Sequence, residues 1–159
     1  MQQQDIASFY RQISAAGANP AGLVVKLYDA ILEDFRRAAD AIAANDIEER
    51  VARLNHALQI IAELDSVLDF ERGGIVAKQL RSFYTVMRGL IVEANIRASR
   101  ESIERLIDFF MPLRQSWQKI EQEIAQRKII LPERQSDEPR RHTVSAQTEP
   151  ETSGASWSV

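Results

Sequence analysis

The sequence predicts an all-α protein: an antiparallel up-down four-helix bundle with a short amphipathic N-terminal segment and a disordered C-terminal tail. Three observations predict it. Glycine and proline, six and five in 159 residues, gather at a few places and leave long stretches uninterrupted. Those stretches are rich in Ala, Leu, Ile, Glu, Arg and Gln, which are good helix formers. Within them apolar residues recur every three or four positions, and no stretch alternates polar and apolar long enough to make a strand.

The first long helix begins at Asn19 and Pro20. Asn is a good N-cap, and Pro is tolerated at the first helical position, where its missing N–H would be unpaired anyway. The helix runs to about residue 44, with Leu23, Leu27, Ile31, Phe35, Ala38 and Ile42 on one face. Asn45 and Asp46 break it, and Asp46 with Glu49 resembles a capping box with Asp in place of Ser or Thr. A second helix follows over about 47–68, with the stripe Ile47, Val51, Leu54, Leu58, Ile61, Leu64 and Leu68. Gly73 and Gly74 end it, glycine being suited to the positive φ found after a helix C-terminus.

The third helix covers about 75–96, with Val76, Leu80, Phe83, Met87, Leu90, Ile91 and Ala94 inside. Gly89 within it either costs about 1 kcal/mol relative to Ala or admits a close backbone approach. Ser99 caps a fourth helix over about 100–126. Its stripe of Ile103, Leu106, Phe110, Leu113, Trp117, Ile120 and Ile124 steps by threes and fours, the pattern of bundle packing. Pro112 inside it should remove a hydrogen bond and kink the chain. Helices of about 22 to 27 residues span roughly 33 to 40 Å. Similar lengths with short joints favour antiparallel neighbours.

Two segments flank this domain of residues 19–131. Residues 1–18 contain an amphipathic piece whose Ile6, Phe9, Tyr10 and Ile13 can share a face; at that length it must dock on something to be ordered. Residues 132–159 are rich in Ser, Thr, Glu, Pro and Arg, with too few apolar residues to form a core, so disorder is expected there.

Composition narrows the chemistry. Twenty Lys and Arg against 23 Asp and Glu leave a net charge of −3, which supplies no pull toward nucleic acid. No apolar run approaches the ~18 residues of a membrane helix, and the N-terminus lacks a secretory signal pattern. With no cysteine, thiolate catalysis and Cys-ligated metals are excluded, and a cytoplasmic location fits. His56 has Arg53, not Glu, three residues before it, so the Glu/His pattern of bundle di-metal sites is missing and a structural role is expected. Asp65 and Asp69 read as a solvated helix edge rather than an acid/base pair. Gly73 and Gly74 precede no Lys-Ser or Lys-Thr, so they form no phosphate loop. The expectation is no enzyme and no cofactor.

Surplus apolar surface is the more informative feature. Val24, Val25, Tyr28 and Leu32 lie beyond the main stripe of the first helix, as do Ala57, Ile60 and Val67 on the second. Tyr84, Val86 and Val92 do so on the third, and Ile107 and Phe109 on the fourth. Either the core is broad, or a groove between helices receives a partner helix.

Four stretches together resemble the flagellin-export chaperone family (FliS). Tyr10, ahead of Asn19 and Pro20, and then Leu23-Val24-Val25-Lys26-Leu27-Tyr28-Asp29-Ala30-Ile31 are similar to its P-x-x-L-I-x-x-L-Y-D-G opening. Ala57 and Ile60-Ile61-Ala62-Glu63-Leu64 precede Leu68-Asp69 and the glycine pair. Leu80, Tyr84, Met87, Leu90 and Ala94-Asn95 are similar to its L-x-x-L-Y-x-Y-M-x-x-x-L-x-x-A-N helix, and Leu113-Arg114 before Trp117 to its L-R-x-A-W ending. The likeness spans about residues 8–125. Ala30 replaces a frequent Gly, Pro112 interrupts the fourth helix, and the tail is longer than the family needs.

The resemblance implies a cytoplasmic chaperone, without cofactor, that binds the disordered C-terminal segment of flagellin in apolar grooves and holds it unpolymerised for type III export. The cytoplasmic export gate is a second candidate partner, and the free protein would be a monomer or weak homodimer. The implied partner-binding residues are Tyr10, Ile13, Leu23, Leu27, Tyr28, Asp29, Leu64, Leu68, Tyr84, Met87 and Asn95. Among these, Leu23, Leu27, Leu64, Leu68 and Met87 serve core or groove. Asp29 pairs with a basic group on the bundle or on the client, and Asn95 is a contact or a helix cap.

Overall fold

The computed structural model describes residues 20–130. The expected N-terminal cap, with Tyr10 and Ile13, and the tail lie outside the described residues. Four helices follow one another: α1 (Pro20–Ala43), α2 (Ile47–Ser66), α3 (Phe70–Arg97) and α4 (Arg100–Ile130). No strand occurs among the described residues. Each helix packs on the next, and α1 closes the ring against α4. Gly22 lies against Glu121 and Asp29 pairs with Arg114, so α1 and α4 run antiparallel in a fixed register.

The joints are short and capped. Asn45 takes a left-handed φ of 55°, and the Asp46 N–H returns to the Ala41 carbonyl at 2.8 Å, closing α1. The Asp46 side chain accepts from the Glu49 N–H at 3.0 Å. The reciprocal half of the capping box is missing, because the Glu49 carboxylate is taken by Arg37 and Arg53. Ser99 caps α4 by accepting from the Ser102 N–H at 3.1 Å.

The joint between α2 and α3 departs from the sequence expectation. The second helix stops at Ser66, and Asp69 opens the third by accepting from the Glu71 and Arg72 N–H groups at 3.0 Å. The glycine pair therefore lies inside α3, where Gly74 at φ 49°, ψ −123° kinks the helix after its first turn. That φ favours glycine. Pro112, where a kink was expected, sits solvent-exposed within a helix assigned without a break from residue 100 to 130. Gly89 has open space where its Cβ would stand, so no backbone of another helix approaches it among the described residues.

α1 lies between α2 and α4 and needs apolar residues over a wide arc. That absorbs Val25, Tyr28 and Leu32, which are buried rather than surplus; Ala57, Ile60 and Tyr84 are buried likewise. Phe110 sits at the aromatic centre, with ring centroids 5.8 Å from Tyr28, 5.6 Å from Phe35 and 5.2 Å from Phe83, all edge-on. Such pairs add about 0.5–1.5 kcal/mol beyond area burial. Ile47 and Val76, placed on the inner stripes by periodicity, are instead exposed.

Among the described residues, one charge is buried. Asp34 on α1 accepts from His56 Nδ1 at 2.5 Å and from Arg53 at 3.4 Å, both on α2. A carboxylate oxygen only accepts, so Nδ1 carries the proton. Burial pushes the Asp34 carboxyl above its ordinary value, against the opposing pull of His56, Arg53 and Arg37. His56 is thus a structural partner that clamps α2 to α1.

Candidate functional site: an open end of the bundle

The stripe of α4 is covered along only half its length. Ile103, Leu106 and Phe110 are fully buried, Leu113 and Trp117 are half-buried, and Ile120 is 41% exposed. The change is confined to one side of α4. In the Gly22–Glu121 register, α1 starts opposite about residue 123 of α4. At the same end α2 stops at Ser66 while α3 bends at Gly74. Past the level of Tyr28, Tyr84 and Phe110, α1 still buries Leu23 and Leu27 and α2 still buries Leu64, while the side of α4 that faces α3 is left partly open.

Two apolar cavities occupy that end and share Val76, Leu80 and Trp117 in their walls. One, of about 310 Å³, runs under the start of α3 and is walled by Val24, Leu64, Leu68 and Tyr84 besides the shared residues. The other, of about 380 Å³, lies between α3 and α4, with Phe83, Leu113 and Ile120. Together they make one trough, with 61% exposed Val76 on the ridge between its halves.

The floor is polar only where it is satisfied. The Tyr28 and Tyr84 hydroxyls meet at 2.7 Å across the bundle. Burial raises the Tyr28 phenol pKa above its ordinary value, opposed by hydrogen bonds to Tyr84 and to Trp117. The rim is pinned by Asp65 on α2, which accepts from Arg81 at 3.3 Å and Arg88 at 2.7 Å on α3. The Arg81 guanidinium also lies 4.6 Å from the Phe70 ring centroid, holding the first turn of α3. Asp65 is therefore an inter-helix anchor and Asp69 a cap, neither a free edge.

The residues singled out from the sequence divide. Leu64, Leu68 and Tyr84 line the trough. Tyr28 lies beneath it, and Leu23, Leu27 and Met87 are core. Asp29 accepts from Arg114 Nε at 2.5 Å and Nη2 at 3.2 Å, an ion pair within the bundle. Asn95 stands at the opposite end, where its Oδ1 accepts from Arg50 Nε at 3.2 Å; Ala98, in left-handed conformation, closes α3 in its place. Trp117, Leu80, Phe83, Leu113 and Ile120 line the trough without having been singled out as site residues.

A second apolar patch lies toward that opposite end, where Val92, Ile96 and Phe109 are exposed, with Val86 exposed near the middle of α3. Its cavity, about 260 Å³, includes Glu93, Arg97 and Arg105, so it is more polar than the trough. Among the described residues no His, Asp and Glu cluster could hold a metal ion, and no helix is long and apolar enough to cross a membrane.

Comparison with known proteins bears on this geometry. The family model for flagellar protein FliS matches residues 1–124. The chain is 33% identical over 120 residues to the flagellar secretion chaperone FliS of Campylobacter jejuni, covering 76% of this chain and 94% of that protein. It is 30% identical over 120 residues to FliSB of Pseudomonas aeruginosa, with the same coverage. Against FliS of Bacillus subtilis it is 30% identical over 110 residues, covering 69% of this chain and 81% of the other. With the family model matched over most of its length, and a helical bundle open at one end, this chain belongs to the FliS family of flagellar proteins.

Proposed function

We propose that this chain is a cytoplasmic export chaperone, a binding protein rather than an enzyme, that holds the C-terminal segment of flagellin for type III export. The observation that carries the reading is the uncovered apolar trough walled by Leu80, Phe83, Leu113 and Trp117. The names of the relatives, flagellar secretion chaperones, supply the client class. An amphipathic client segment that buries its apolar stripe here is withheld from burying it against another flagellin subunit. The exposed patch around Val92 and Phe109 offers a second contact about 18 Å along α3 from Leu80, suiting a client that wraps the bundle. Residues 1–18, with Tyr10 and Ile13, act as a cap that covers apolar surface when no client is bound. The helices act as the binding domain, and the export gate is a second candidate partner.

Isothermal titration of the full chain with the C-terminal segment of flagellin from the same organism tests this. Expected are 1:1 binding and a large negative heat-capacity change, because apolar surface is buried as the client folds. No binding, with the N-terminal segment of flagellin behaving the same, moves the reading to an adaptor for another protein.

A further inference from the structure

Residues 125–159 lie beyond the region that the family model matches, residues 1–124. We propose that the end of this added tail, with Trp157 as its anchor, docks back into the α3/α4 half of the trough and competes there with other ligands. Three observations support it.

The first is where the chain leaves the helices. α4 carries the trough residues Leu113, Trp117 and Ile120 and ends at Ile130, so the tail departs from the open end. Ile120 is ten residues back from Ile130, about 15 Å along the helix. Twenty-seven residues separate Trp157 from Ile130, enough to reach up to about 90 Å when extended. The span is easily made, and such a tether gives a local concentration on the order of millimolar. A contact too weak to see between separate molecules is then well populated within one.

The second is chemical fit. In residues 142–159 the large apolar side chains are Val144, Trp157 and Val159, and the last two stand together in a run of small residues, Ser153-Gly154-Ala155-Ser156-Trp157-Ser158-Val159. A tryptophan buries about 150–250 Å². The cavity of about 380 Å³ between α3 and α4 is walled by Leu80, Phe83, Leu113 and Ile120.

The third is charge. Residues 142–159 contain Glu149 and Glu151 and no Lys or Arg. Lys119 adjoins Ile120, and Arg127 continues its stripe beyond Ile124; both are exposed, and neither makes an ion pair among the described residues. The other half of the trough, beside Val24 near the start of α1, is left to the N-terminal segment.

The chain has no cysteine, so Ser153→Cys carries a single nitroxide label in the otherwise intact protein. Amide signals of residues 76–83 and 113–120 should broaden at least several-fold more than those around Leu54 and Ile103 at the closed end. Adding Trp157→Ala should abolish the difference while leaving the chemical shifts of Leu54 and Ile103 unchanged. Uniform broadening, broadening centred on another face, or a pattern indifferent to Trp157→Ala overturns the proposal. Flagellin is absent from this experiment, so its failure is separate from failure of the chaperone reading.

Discussion

The two ends of this bundle are built from the same pattern and do opposite things. At the closed end Ile31, Phe35, Leu54, Ile61, Ile91, Ile103 and Leu106 are within 1% of full burial. At the open end Val76, Leu80, Leu113, Trp117 and Ile120 keep the same spacing and stay half-buried or exposed. Nothing about the open-end residues is less apolar. Their would-be neighbours stop, because α2 ends at Ser66 and α3 bends at Gly74. Apolar surface left uncovered in this way is free to bind, and the stability comes from elsewhere.

The largest effects should separate the ends. Phe110→Ala removes the ring that joins Tyr28, Phe35 and Phe83 and should cost about 3–5 kcal/mol by urea unfolding. Ile120→Ser should stay within about 0.5 kcal/mol of the parent and weaken client binding at least tenfold. Equal losses of stability at the two positions would erase the distinction.

Asp34→Ala leaves His56 and Arg53 facing an apolar gap and should cost about 3 kcal/mol. The pH dependence carries a sign. Burial raises the Asp34 pKa above its value of 3.8 in the unfolded chain, so the native state binds the proton more tightly. The stability this group contributes is full below that value and is lost as pH rises through the folded value. Asp34→Asn cannot titrate, so unfolding midpoints measured across the acid range should gain on the parent as pH rises. A gain in the opposite direction would contradict burial as the dominant cause.

Gly89→Ala should stabilise by about 1 kcal/mol, since the added methyl meets nothing. If client binding also drops, the exposed face of α3 around Val86 and Val92 is a contact that needs glycine. Asp29→Ala, which removes an exposed ion pair with Arg114, should cost only about 0.2–1 kcal/mol and leave binding unchanged.

Much of the fold is legible in the residues. Asn45 and Asp46, Ser99, and the 3-4 spacing on α1 and α4 mark helices that the structure contains. The joint after α2 is less legible, because the glycine pair is the conspicuous breaker, whereas α2 ends at Ser66 and Asp69 already opens α3 by accepting two N–H groups. Gly74 still breaks the helix direction, one turn into α3. The trough was half legible. Spacing shows which face of a helix is apolar, but not whether a neighbouring helix reaches far enough to cover it. Trp117 and Ile120 are thus indistinguishable in pattern from Leu106 and Phe110. Asp34 and His56, on different helices 22 residues apart, have no local signature at all.

The central claim is that the open end is where the client binds. Amide chemical-shift mapping of the full chain during titration with the flagellin C-terminal segment tests it most directly. The largest shifts are expected at residues 76–84 and 113–120, with those around Leu54 and Ile103 nearly still. Saturable binding that shifts the closed end and leaves the trough unmoved would contradict it.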